Sequence, residues 1–203
     1  ARVRARPRHR YAGHRGTALG DSHFQKSVVC SLPEKTMMEN NGGALRAPFS
    51  VTLDADSPLA CAFLPCPLRE LEPLLRTLWE EARAVEEEGG CPGVPGALDF
   101  TVTLDGPMAG LNRRAMGVPG PTNILSFPGE PLTGLAELVL SSETLCRECV
   151  LYGQEPLRHL VRLTAHGFGH VCGFDHGPFM DAFTGRLGAA AEEWIGKQGG
   201  CRV

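Results

Sequence analysis

Eleven residues, His166-Gly-Phe-Gly-His170-Val-Cys-Gly173-Phe-Asp175-His176, restrict what this chain can become more than any other stretch. Histidines four apart lie on one helical face, one turn from each other, close enough to share a cation. Gly173 follows where a helix is commonly ended by a left-handed residue, and such a turn brings His176 back toward the same point. Unrelated core or surface histidines would be the natural reading of an isolated pair. Three histidines with the turn glycine favour a metal site made by His166, His170 and His176. Zinc leads over nickel, iron or manganese, because neutral imidazoles suit it and three ligands leave a position open. A water in that position has a pKa near 7, which suits hydrolysis.

This is the spacing of the metzincin zinc proteases, with one difference that matters. The glutamate that follows the first histidine in those enzymes, their general base, is Gly167 here. The ligands are kept without the peptidase base. Gly167 and Gly169 each cost roughly 1 kcal/mol in a helix relative to alanine, so something lies close to that turn, either the sheet or a substrate. Asp175 is read either as a partner for a histidine N–H or as a surface turn residue. Cys172 is expected to be a buried thiol at the helix end.

The 203 residues suffice for one ordinary domain with tails, and 42% hydrophobic content supports a real core. No stretch has the roughly 18 to 20 apolar residues of a membrane span, so an intracellular protein without a membrane is expected. The first 20 residues hold six arginines and no acid, which leaves −9 of the −3 total on the remainder. Such a leader reads as a targeting segment for a mitochondrion or plastid, as plain disorder in a cytoplasmic protein, or as an arm for nucleic acid. The eight cysteines are irregularly spaced and are expected to be reduced thiols, Cys146 and Cys149 included.

Residues 1–46 show no sustained period and read as leader and linker, 47–197 as the folded domain, and 198–203 as a tail. Alternation predicts strands over 49–53, 98–104, 122–127 and 135–140. Helices are expected over 73–87 with Pro73 at the first position, 107–115, from a Ser141 cap to about 151, 156–172, and near 179–195. The order predicts an α+β domain with a small mixed sheet of about four strands, covered by about five helices, and a metzincin-like helix and turn for the metal.

The histidine segment resembles the H-G-x-x-H-x-x-G-[YF]-D-H signature of the YbeY family of metal-dependent endoribonucleases. Leu111-Asn112 and, nine residues after Asn112, Pro121-Thr-Asn-Ile-Leu-Ser-Phe-Pro128 are similar to that family's LN and PTNVLSFP blocks. Leu135-Ala-Glu137-Leu-Val139 stands where the family has LGDI or LGDV. The resemblance covers about residues 47–197. It implies one zinc ion on the three histidines, with His166 and His170 essential for catalysis and Asp175 and Glu137 supporting the ligands. It also implies a single-stranded RNA substrate, in particular the small-subunit ribosomal RNA and its 3′ end, and the ribosomal small subunit as partner. Asn112, Thr122, Asn123 and Ser126 are the residues it implies for substrate contact. The chain departs from the family at Ala115-Met116, where Tyr-Arg is usual, and in the neutral loop Gly117-Val-Pro-Gly120. Arg113 and Arg114 are the nearby cations for the RNA backbone, and Glu137 replaces an aspartate. Two other functions compete: a zinc-containing ribosome-assembly factor without catalysis, and a zinc protease or amidase.

Overall fold

A computed structural model describes residues 50–129 and 134–197. The expectations for 1–46 and 198–203, and residue 49 of the first strand, lie outside them. Four strands, β1 (Ser50–Ala55), β2 (Ala97–Thr103), β3 (Ile124–Phe127) and β4 (Leu135–Ser141), form one sheet in the order β1-β2-β4-β3. β1 and β4 run parallel to β2, and β3 runs antiparallel to β4. The helices are α1 (Pro58–Ala62), α2 (Leu71–Glu87), α3 (Asp105–Met116), α4 (Ser142–Tyr152), α5 (Pro156–Val171) and α6 (Pro178–Lys197). The architecture is the α+β domain with a four-stranded mixed sheet that the residue patterns predict.

The alternation along β2 makes one sheet face apolar. Leu98, Phe100 and Val102 are buried, as are Ala136, Leu138 and Leu140 on β4, while Asp99, Thr101 and Glu137 point the other way. Onto the apolar face fall Leu71, Leu74, Leu75, Leu78, Ala82 and Val85 of α2, and Leu160, Val161 and Phe168 of α5. Fully burying each of the larger side chains contributes about 1.5–3 kcal/mol. Met180, Phe183, Leu187 and Ala191 of α6 form the third stripe, and Gly185 and Gly188, where an added Cβ would meet nothing, leave it intact.

Three differences from expectation have local reasons. α2 begins two residues before Pro73, because a 3-10 turn over Leu68–Glu70 runs straight into it, and the first turn of a helix needs no N–H from a proline. β3 begins at Ile124 rather than 122, since Asn123 Oδ1 accepts the Ile124 N–H at 2.7 Å and closes the chain locally. α1 is additional to the five expected helices. Ser57 caps it and Pro58 opens it, but five residues are too few to show a period.

Candidate metal centre

The end of α5 is built from its own sequence. Glu155 caps the start, its carboxylate accepting from Leu157 N at 3.1 Å and Arg158 N at 2.7 Å, with Pro156 in the first position. At the far end Gly173 takes φ +90°. Its N–H donates to His170 O at 3.0 Å, and Phe174 N–H donates to Gly169 O at 3.0 Å, the paired bonds of a Schellman turn. This turn directs the chain back, so that His176 faces the two helical histidines.

The three rings converge. Ring centroids lie 4.7 Å apart for His166 and His170, 5.2 Å for His166 and His176, and 4.7 Å for His170 and His176. One nitrogen from each lies within 4.8 Å of the others. His170 Nδ1 is 3.2 Å from Phe174 O, and since a carbonyl only accepts, Nδ1 carries the proton and Nε2 keeps its lone pair. That Nε2 is 3.2 Å from His166 Nε2. Two donors at tetrahedral angles on bonds of about 2.0–2.1 Å lie roughly 3.3 Å apart, so this pair fits a small divalent ion. Burial, and then the neighbouring His170 and His176, push the His166 pKa below its usual value, which keeps its lone pair available; Asp181 pulls weakly the other way.

The two glycines between the ligands serve packing. A Cβ on Gly167 would stand 2.8 Å from Leu138 Cδ2, 3.0 Å from Ile124 Cδ1 and 3.3 Å from Ser126 Oγ, and one on Gly169 would stand 2.8 Å from Met180 Cε. α5 therefore lies against β3 and β4 on one side and α6 on the other. The position that holds a protease's glutamate faces the sheet here.

The remaining sequence candidates are distributed differently. Ser126 lies on the α5 side of β3, beside Gly167. Glu137 stands on the opposite face of β4 from Leu138, so it does not back the histidine rings; the strand's period of two decides this. Asp175 is exposed, and the His170 N–H goes to the Phe174 carbonyl. Asn112 is 5% exposed and its Nδ2 donates to Gly120 O at 2.9 Å, which fixes the loop after α3. Asn123 is likewise engaged, its Nδ2 3.2 and 3.3 Å from the Glu148 oxygens. Thr122 is half-buried just before β3. Arg113 and Arg114 are exposed at the end of α3, which packs on β4 and α4. Met116, at the family arginine's place, is 61% exposed.

Two features had no signal in the sequence. Asp181, on the first turn of α6, is close enough to act on the charge of His166. His159 is buried, with Nε2 2.7 Å from Glu148 Oε2 and Nδ1 2.8 Å from Arg162 Nη2. Cys61, Cys91, Cys146, Cys149 and Cys172 are thiols outside any disulfide. No helix among the described residues is long and apolar enough to cross a membrane.

Fold and site together define a class: an α+β domain whose central helix ends in a three-histidine turn able to hold a metal ion. Residues 68–183 match the family described as Endoribonuclease YbeY. The protein of that name from Oleidesulfovibrio alaskensis is 42% identical over 48% of this chain and 72% of its own length. Its counterpart from Nitratidesulfovibrio vulgaris is 42% identical over 42% of this chain and 66% of its own. A solution structure from Thermotoga maritima covers 72% of this chain and 93% of that one, at 16% identity and a TM-score of 0.47. The chain belongs to the YbeY family.

Proposed function

We propose that this chain is a zinc-dependent, single-strand-specific endoribonuclease of ribosomal RNA maturation, acting on the small-subunit RNA in contact with the small ribosomal subunit. One observation carries the reading: three imidazoles converge at the end of a rigid helix, with the His170 proton held by the Phe174 carbonyl and its lone pair turned into the cluster. The name of the related proteins, endoribonuclease, agrees with it. His166, His170 and His176 would hold the ion. When bound, zinc supplies Lewis acidity, polarising a phosphoryl oxygen and acidifying a water.

The chain's own residues do the rest. The Schellman turn fixes the direction of His176, and the glycine contacts keep His166 and His170 from drifting relative to the sheet. His176 is exposed, so one side of the triad is open to a strand of RNA. Arg113 and Arg114 are the cations assigned to the phosphate backbone.

A second reading, an assembly factor that keeps the metal for structure, draws on Met116 and the uncharged loop 117–120, which remove cations from the substrate side. A protease or amidase is disfavoured by the direction of Gly167. The test is cleavage of a labelled small-subunit RNA fragment by zinc-loaded protein, chelated protein, His170→Ala and Met116→Arg. Cleavage that vanishes with chelation and with His170→Ala supports the endoribonuclease. Cleavage seen only in Met116→Arg would identify the assembly factor, and turnover of a peptide but not RNA would revive the third reading.

A further inference from the structure

The first turn of α6 borders the triad on two counts. Met180 packs against Gly169, between the two helical histidines, and Phe179 follows the third histidine, His176, by three residues. Phe179, on the same turn, is 84% exposed. Its neighbour one turn on, Phe183, is buried against Phe174 with ring centroids 4.7 Å apart, so the core stripe of α6 is complete without Phe179. A large apolar ring held in water beside a functional site, on a helix that packs well elsewhere, has no role in stability.

RNA ordinarily gains much of its affinity from cations on its phosphates. An exposed aromatic ring adds a contact of another kind, one that tolerates any base.

We propose that Phe179 is a stacking platform for an unpaired nucleobase of the RNA strand whose phosphate sits at the histidine triad. This rests on the ribonuclease reading and gives it a base-holding residue outside the metal ligands. The base lies on the ring at the first turn of α6, while the adjacent phosphate reaches the histidines. Grip by stacking also makes binding depend less on salt than a cation-lined groove would.

The experiment uses the full chain, with zinc and in chelator, and a single-stranded oligoribonucleotide carrying 2-aminopurine at successive positions. Dissociation constants come from anisotropy, and stacking from 2-aminopurine quenching. Phe179→Ala should weaken binding about tenfold and abolish the quenching at one position, with an unchanged melting temperature because the ring is exposed. Phe179→Trp should retain both. Phe179→Leu, apolar without a π face, should behave like the alanine variant. Wild-type binding that Phe179→Ala leaves intact would overturn the proposal and spare the ribonuclease reading, and so would full binding and quenching in Phe179→Leu. No RNA binding by the wild-type chain in either metal state would bring down the ribonuclease reading, and this proposal with it.

Discussion

His159 and His170 stand three turns apart on α5, and the protein treats them differently. His159 is 3% exposed and both of its nitrogens are occupied, Nδ1 accepting from Arg162 and Nε2–H donating to Glu148. Glu148 in turn holds Asn123, so the imidazole ties α5 and α4 to the start of β3. His170 has only Nδ1 occupied, by a backbone carbonyl, and its Nε2 looks toward two more imidazoles. A buried polar group with every site satisfied is a structural part, and one whose lone pair is aimed with others at a common point is a binding part. Exposure follows the same division: His159 is buried, His166 and His170 are half-buried and His176 is exposed.

The comparison breaks or holds first on metal. His170→Ala should eliminate nearly all bound metal by elemental analysis, and RNA cleavage with it, whereas His159→Ala should keep the stoichiometry of the wild type. Loss of metal in both would mean that the two clusters are one system. The next effect belongs to the face between the ligands. Gly167→Glu, which restores the protease-like residue, forces a carboxylate against Leu138, Ile124 and Ser126, and should destabilise by at least about 3 kcal/mol in chemical denaturation. A variant of normal stability would show that this face of α5 has room for a substrate.

His159→Ala should cost about 2–3 kcal/mol, because it leaves a cavity and removes partners from Glu148 and Arg162. Glu148→Gln, which can still accept a hydrogen bond from the ring, should cost less. If His159→Ala were as stable as the wild type, completeness of hydrogen bonding would not mark a structural histidine here.

How far the sequence showed this depends on the distance over which each signal acts. The strands and long helices came from local periodicity, and the helix end at Gly173 from the rule that a left-handed residue follows the last turn. The triad was legible for the same reason: all three histidines fall within one helix-turn segment. The partners of Asn112 and Asn123 were not legible, because a motif says where a residue recurs and not what it touches; their amides bind Gly120 and Glu148, which only the fold brings near. Glu137 and Asp175 needed the direction of a side chain, set by the pleat of β4 and by the Phe174 carbonyl. Asp181 and His159 had no pattern at all, because their neighbours come from other elements or lie on the far side of their own.

Asp105 extends the comparison to a carboxylate and carries the smallest effect. It stands on the first turn of α3, and its oxygens accept from Ser141 Oγ, Thr144 Oγ1 and Arg147 Nη1, each at 2.6 Å. Every strong partner is internal, so by the rule above it is a structural group. Burial by itself would raise its pKa, but the three hydrogen bonds and the Arg147 charge outweigh burial and hold it below the usual aspartate value. As pH falls, the unfolded chain therefore takes up the proton first, near the ordinary pKa of about 3.9. The stabilisation is complete above that value and is lost as pH drops through the lower native pKa. Asp105→Asn should cost about 1 kcal/mol at pH 7, a modest figure because Arg147 is half-exposed, with metal content unchanged. The gap between variant and wild type should close in denaturation curves taken toward pH 2. A gap that stayed constant over that range would mean that the charge of Asp105 contributes nothing beyond its shape, and the junction of α3 and α4 would then be held by packing alone.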